Sequence, residues 1–495
     1  MTTELMLASK RYRVGEVIGA GGMGSVYHCD DRLTGQVVAL KSVNLERAGS
    51  INSESLRLAI TREFETLATL HHPHVVEVID YGFDTAQQPY FTMAYLDHAQ
   101  PLDEAARSMP LAGRVELLIQ ILQALAYLHR RGVIHHDLKP HNVLVDAQGK
   151  VKVLDFGVAL LRTNQSRQRS TGTLAYMAPE ILQGRPASEV SDLYALGVLA
   201  YELIAGLHPF ALHDLRRLLF QIVNEAPDLS LLPDEGLRRI IGRLLAKDPA
   251  ARYQDANTVI QELCQALDLP LPEENAAIRE SFLTAAVFIG RQHELERLNE
   301  GLEGALRGEL SAWLIGGESG VGKSRLLDEI RIQALVKGVQ VLRGQAVEGG
   351  GLRYQAWRDV LPPLILSSEI SDFEASVLSE VVPQIGALID REVTPAAPLA
   401  GRGQHQRLSE TICALFQRQT RPIALFLEDL QWTTESRQIL QDLLLVAAKL
   451  RLFIIGTFRN DEAPHLPEQL AQMQLIGLER LSSGEIAELS YGMIG

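Results

Sequence analysis

The sequence predicts two domains, an α+β domain followed by an α/β domain with a parallel sheet. Three observations predict it. Residues 12–18 and 24–29 alternate in the manner of strands, residues 37–41 lie on the next strand, and Leu111–Arg130 then shows the apolar periodicity of a helix. Leu267-Asp268-Leu269-Pro270-Leu271-Pro272-Glu273-Glu274-Asn275 reads as a linker, because its two prolines stop the helix before it. Beyond it, Ala312–Ile315, Pro422–Leu427 and Leu452–Phe458 are short apolar runs of the buried-strand kind.

Composition bounds the function. At 495 residues the chain is too long for one ordinary domain, and length alone suggests about three. Hydrophobic residues at 46% and charged residues at 22% are globular proportions. A net charge of -14 argues against non-specific nucleic-acid binding as the main task. Cys29, Cys264 and Cys413 are scattered, with neither metal spacing nor a disulfide framework, so a reducing cytoplasm is expected. The N-terminal residues MTTELMLASKRYRVG lack the apolar core of a signal peptide. No run of roughly 18 apolar residues is expected to span a bilayer. The richest stretch, Leu193–Phe210, carries Glu202 and His208 and reads as a buried helix.

Between the first two strands lies Gly19-Ala20-Gly21-Gly22-Met23-Gly24, followed by Val26. Glycines let the backbone arch closely over phosphates and turn amide N–H groups toward them. The pattern alone is weak, since a dinucleotide-binding turn and a plain hairpin both produce it. A dinucleotide turn wants a helix next. Here a strand follows, and then Val37–Lys41. Ser55–Leu70 has helical spacing through Leu56, Ile60, Phe64, Leu67 and Leu70, and carries Glu63 and Glu65. Tyr90–Leu96 reads as a core strand. Val133–Asn142, VIHHDLKPHN, holds Asp137, Lys139 and Asn142. Phosphoryl transfer needs a carboxylate near the attacking hydroxyl, a cation near the phosphate and oxygen ligands for Mg²⁺, and this loop has those residue types. Val151–Leu154 then leads to Asp155-Phe156-Gly157, followed by Thr171-Gly172-Thr173, Met177-Ala178-Pro179-Glu180, Asp192–Gly197 and Arg252 in KDPAARY.

In this order, over residues 12–267, the set resembles the eukaryotic-like Ser/Thr protein kinases. The resemblance implies a bilobal protein kinase fold after a tail at residues 1–11, with ATP and Mg²⁺ as cofactors. It implies that Gly19, Gly21, Gly22 and Gly24 cover the phosphates, with Ile18, Val26 and Ala39 beside the nucleotide. Lys41 would hold the α/β-phosphates and pair with Glu63, Glu65 being the lesser candidate. Met93 would be the gatekeeper, with the backbone of Ala94 and Leu96 facing adenine. Asp137 would orient the substrate hydroxyl, Lys139 steady the γ-phosphate, and Asn142 and Asp155 bind metal. Thr173 would contact Asp137 and Lys139, Asp192 would brace the catalytic loop, and Arg252 would pair with Glu180. One departure stands out. His136 occupies the place where most members have an arginine that grips a phosphorylated activation loop. Imidazole does this only when protonated, so control by loop phosphorylation is in doubt while catalysis is not.

In the second half, Phe288-Ile289-Gly290-Arg291 with Glu294-Leu295 precedes the apolar run at Ala312–Ile315. Gly317-Glu318-Ser319-Gly320-Val321-Gly322-Lys323-Ser324 follows, then a helical stretch, Arg325–Lys337. A strand, a glycine loop and a helix N-terminus together make an anion cradle. These residues resemble AAA-type signal-transduction ATPases. The resemblance implies an α/β P-loop NTPase domain over residues 284–495, after a linker at 268–283, and a second ATP site. Gly317, Gly320 and Gly322 would shape that site, Lys323 would reach the β/γ-phosphates, and Ser324 would bind Mg²⁺. Glu428-Asp429 resembles Walker B; which carboxylate contacts the metal water and which polarises the attacking water stays open. Arg459 would sense the γ-phosphate or be a plain strand-end charge. The family continues with a helical lid and a winged helix, so this domain is expected to be incomplete at its C-terminus.

The expected function is a Ser/Thr protein kinase under the control of its ATPase module. The alternative is an ATP-gated scaffold whose kinase fold mainly binds partners. Expected partners are proteins with Ser/Thr acceptors, the chain itself among them, with oligomerisation through the ATPase domain. Direct nucleic-acid or membrane partners are not expected.

Overall fold

The structure, a computed structural model, describes residues 7, 10–21, 24–43, 64, 67–86, 88–154, 174–272, 278, 290–348, 353–399 and 401–487. By contacts the chain divides into two compact units. The first comprises residues 1–49, 80–92 and 288–488, and the second residues 50–79, 93–287 and 489–495. The strands at the start of the chain thus cluster with the P-loop half, whereas the linker expectation divides the chain once, near residues 268–283.

The first unit carries a five-stranded sheet in the order β1-β2-β3-β5-β4. Its strands are β1 (Tyr12–Gly21), β2 (Gly24–Asp31), β3 (Val37–Val43), β4 (Val78–Phe83) and β5 (Pro89–Ala94). The β1–β2 and β2–β3 pairs are antiparallel, with Gly21 opposite Gly24 and Val26 opposite Lys41. Residues directly opposite share a sheet face, and so do residues two apart on one strand. Val26, Ala39 and Lys41 therefore lie on one face. A side chain at Gly24 would place its Cβ 1.9 Å from the Ser42 carbonyl oxygen, so only glycine fits there.

A second sheet in this unit is wholly parallel, in the order β10-β11-β12-β9-β13. It comprises β9 (Ser311–Gly316), β10 (Gln340–Gln345), β11 (Ile423–Glu428), β12 (Leu452–Phe458) and β13 (Gln474–Gly477). The apolar runs of the middle strands split with period two. Ala312, Leu314, Ile423, Leu425, Leu427, Leu452, Ile454 and Phe458 belong to one core. Trp313, Ile315, Ala424, Phe426, Phe453 and Ile455 belong to the other. Both faces are buried, which is why these strands read as unbroken hydrophobic runs. Each fully buried large side chain here stabilises the sheet by roughly 1.5–3 kcal/mol.

The second unit is mainly helical. The helix Leu111–Arg130 begins after Pro110 and packs against the helices Glu189–Ala205 and Ala256–Ala266 and the strand β8 (Val151–Val153). By length and hydropathy Leu111–Arg130 is long and apolar enough to cross a membrane, contrary to the expectation that no stretch would be. Its Val115, Ile121, Leu122, Leu125 and Leu128 are fully buried within the unit, which accounts for the composition. The helix Glu189–Ala205 starts at a Ser188–Ser191 capping box and stops at Gly206, whose φ of 78° is the left-handed stop that glycine favours. The buried helix expected from Leu193 onward therefore starts earlier and ends before His208. Further on, β6 (Gln100–Pro101) pairs with β7 (Val143–Val145), and β7 and β8 form a hairpin behind the VIHHDLKPHN loop.

Candidate active site

The VIHHDLKPHN loop is tied down from below by one carboxylate. Asp192, in the first turn of Glu189–Ala205, is 2% exposed. It accepts from the His135 amide at 2.8 Å, the His136 amide at 3.0 Å and His129 Nε2 at 2.9 Å. Burial opposes its charge, but the bonds from His129 and the loop outweigh it and hold its pKa below the ordinary aspartate value. His136 sits at a φ of 65°, a strained conformation for a non-glycine residue, and the bond from its amide to Asp192 holds it there.

Above this brace Asp137, Lys139 and Asn142 converge. Asp137 Oδ2 accepts from Lys139 Nζ at 2.8 Å and from Asn142 Nδ2 at 3.1 Å. Asn142 Nδ2 also reaches the Asp137 carbonyl at 2.7 Å, closing the loop on itself through the 3₁₀ turn Pro140–Asn142. The hairpin end is stitched to the same loop: the Leu154 amide donates to Asn142 O at 2.8 Å, and His135 Nε2 lies 2.9 Å from Leu154 O. Asp155, Glu63, Glu65, Thr173, Gly22 and Met23 lie outside the described residues.

His136 is half-buried. Burial, and less so the neighbouring His135, push its pKa down against the pull of Asp192, so the imidazole is neutral at pH 7. Arg252 and Glu180 form the expected pair, bidentate at 2.8 Å for both bonds and almost fully buried, with Ser191 Oγ adding 2.7 Å to Glu180 Oε1. In the sheet of the first unit, Lys41 Nζ lies 5.8 Å from the Phe91 ring centroid. Ile18 is exposed, and Met93 is buried. The Ala94 amide, expected to lie beside adenine, donates to Glu77 O at 3.0 Å.

The second centre lies at the C-terminal edge of the parallel sheet, where ligands of open α/β sheets bind. Gly316, Gly317, Gly320 and Gly322 shape the loop between β9 and the helix Lys323–Val336. Gly320 and Gly322 have φ of 80° and 98°, and a Cβ on Gly316 would meet the Phe458 ring at 2.6 Å. Lys323 Nζ donates to Gly317 O and Glu318 O, both at 2.7 Å, and desolvation lowers its pKa against the pull of Asp429.

The two Walker B-like carboxylates have different neighbours. Ser324 Oγ lies 3.4 Å from Glu428 Oε2. Asp429 faces elsewhere, taking Gln345 Nε2 at 3.1 Å and Gln431 Nε2 at 3.3 Å. Arg459 follows β12, between the P-loop strand and the Walker B strand. It pairs with Glu462 at 2.8 Å and stacks over Trp432 at 4.7 Å. Its charge is felt at Lys323, which keeps it within the site's electrostatics.

The residues present fit nucleotide and Mg²⁺: a carboxylate, an amide and a cation meet in the first centre, and a glycine cradle, a hydroxyl and a buried carboxylate in the second. Sequence reasoning missed His129, Arg343 and Gln345. For Arg343 a signal existed, the lone charged residue of the strand Gln340–Gln345.

The protein kinase domain model matches residues 12–266, and the AAA ATPase domain model matches residues 287–455. The "Probable serine/threonine-protein kinase SCO3848" of Streptomyces coelicolor is 35% identical over 274 residues, 52% of this chain and 40% of that protein. Serine/threonine-protein kinase PrkC of Bacillus subtilis is 32% identical over 300 residues, 58% of this chain and 46% of that protein. The chain thus spans less than half the length of these relatives. The solved kinase domain of PknI from M. tuberculosis is 25% identical, with a TM-score of 0.44, and the match covers 54% of this chain and all of that one.

Proposed function

This chain belongs to the protein kinase domain family, and we propose that it transfers the γ-phosphate of ATP to Ser/Thr hydroxyls of protein substrates, itself among them. We take its AAA ATPase domain to be a nucleotide-binding regulator of that transfer in cytoplasmic signalling. The observation that carries the reading is the Asp137–Lys139–Asn142 cluster. Asp137 is held with one oxygen on Lys139 and Asn142, so its carboxylate is aimed before any substrate arrives, and reorganisation costs little. It would take the proton of the attacking hydroxyl, and Lys139 would steady the transferred group. Asn142 and Asp155 would hold the magnesium, which supplies charge neutralisation at the phosphates when bound. Lys41, on the same sheet face as Val26 and Ala39, would align the nucleotide, and Glu63 would hold Lys41.

The parallel-sheet half would hold a second nucleotide. Its P-loop amides and Lys323 would bind phosphates, Ser324 and Glu428 would hold the metal side, and Asp429 would face the attacking water. Scaffolding alone does not require Lys41, Asp137, Asn142 and Asp155 together, which favours the enzyme reading.

Asp137→Asn should lower autophosphorylation by about 10²–10⁴-fold while ATP affinity stays close to wild type, because the carboxylate acts on the hydroxyl and not on the nucleotide. Radiolabel incorporation with a parallel binding titration reads both. Near-wild-type labelling by this variant would sink the assignment.

A further inference from the structure

Glu428, at the end of β11, is 3% exposed and carries one oxygen toward Ser324. Its other oxygen is not left to solvent. Arg343, on the neighbouring strand β10, places Nε 2.5 Å from Glu428 Oε1. The same guanidinium has its NH1 3.4 Å from Asp328 Oδ1, on the helix that follows the P-loop. The helix that carries Ser324 and the strand that carries Glu428 are therefore bridged by one side chain. Parallel pairing brings this about: β10 and β11 run in register from Gln340–Ile423 to Gln345–Glu428, so Arg343 reaches forward to the strand end beside it.

We propose that Arg343 is a positioning residue of the second nucleotide centre. It fixes Glu428 Oε1 so that Oε2 is presented to Ser324 and to a divalent cation between them. This inference rests on reading the P-loop half as a magnesium–nucleotide site. A planar guanidinium can serve two carboxylates at set angles, whereas an amide or a methyl cannot. Without Arg343, the Glu428 carboxylate would rotate, and a buried carboxylate would lose its charged partner. The outcome expected from loss of such an orienting partner is weaker metal binding by roughly 10–100-fold with the primary ligands intact.

The test uses the full chain and a fluorescence readout confined to this half, because Trp313, Trp357 and Trp432 are the only tryptophans and all lie beyond residue 283. Tryptophan quenching by a non-hydrolysable ATP analogue is titrated with Mg²⁺. Arg343→Gln should raise the Mg²⁺ concentration at half-saturation by about tenfold, and Arg343→Lys should recover part of the loss. In EDTA, analogue affinity should match wild type, while the thermal midpoint falls because the buried Glu428 has lost its charged partner. Glu428→Gln should make the added Arg343→Gln change silent, since the two act as one unit. Superimposable Mg²⁺ titrations of wild type and Arg343→Gln would overturn the inference. So would an equal loss of analogue affinity in EDTA, or additive effects with Glu428→Gln on the Mg²⁺ titration. A wild-type chain with no magnesium-dependent quenching would instead bring down the nucleotide-site reading, and this inference with it. Lys323→Ala, which should abolish the quenching, checks that the signal arises at the P-loop.

Discussion

The catalytic loop of the kinase half and the P-loop of the ATPase half, both proposed to handle phosphate, are built in opposite ways. The catalytic loop is held by side chains. Asp192 is buried beneath it and gathers two backbone amides and a histidine, and Asp137 is aimed by Lys139 and Asn142. The P-loop is held by backbone conformation, with Gly320 and Gly322 at positive φ and Lys323 folded over the loop's own carbonyls. A loop shaped by buried charges depends on ionisation and on a packed lobe. A loop shaped by glycines depends on two dihedral angles and little else. The two halves should therefore fail under different insults.

The largest effect should come from the buried charge in the large lobe. Arg252→Ala strands Glu180 with no cation in a site where both are nearly inaccessible. We expect a loss of about 3–5 kcal/mol from the kinase half, read by urea unfolding, while P-loop tryptophan quenching is kept. Loss of both together would break the contrast.

Gly322→Ala should be the mirror case. Its φ of 98° strains any other residue, at a cost of about 1–2 kcal/mol, and it should abolish the P-loop nucleotide response while autophosphorylation machinery stays folded. Full quenching in this variant would show that the cradle is not shaped by that dihedral.

A smaller effect is expected at the activation segment, which lies outside the described residues. Neutral His136 offers one N–H where a guanidinium offers five. The combined change Ser166→Ala, Ser170→Ala and Thr171→Ala should cost less than about tenfold in kcat/KM, roughly 1.4 kcal/mol. Thr173→Ala should cost more, and His136→Arg should make the enzyme newly dependent on loop phosphorylation. A loss of a hundredfold or more in the triple variant would show that loop phosphorylation governs the enzyme despite His136.

The smallest effect at neutral pH is the acid dependence of the brace. Asp192 and Glu180 both have pKa values held below their ordinary ones, for Asp192 by His129 and the loop and for Glu180 by Arg252 and Ser191, against the cost of burial. Their stabilisation is present above the unfolded values near pH 4 and is lost as pH falls through the lower folded values. Urea midpoints of the large lobe should be level from about pH 5 to 7 in this respect and drop below about pH 4. Asp192→Asn should lower the midpoint at pH 7 and flatten the acid limb; an unchanged acid limb would remove Asp192 from the account.

The sequence alone determined what is local. Glycines at phosphate loops, the alternation of β1 and β2, the helix Leu111–Arg130 and the Asp137–Lys139–Asn142 spacing are all set by residues a few positions apart, and local spacing is what a chain displays. Arg252–Glu180 was legible as well, through the resemblance and not through geometry. Only the tertiary structure decided that Glu428, and not Asp429, faces Ser324, that Arg343 meets both Glu428 and Asp328, and that His129 shares Asp192 with the loop. Arg343 and Glu428 are 85 positions apart in the chain, and Arg343 neighbours Glu428 only because β10 pairs with β11 and not with β9. Strand order is chosen by how both sheet faces are buried, a property of the whole packed domain that no short stretch of residues carries.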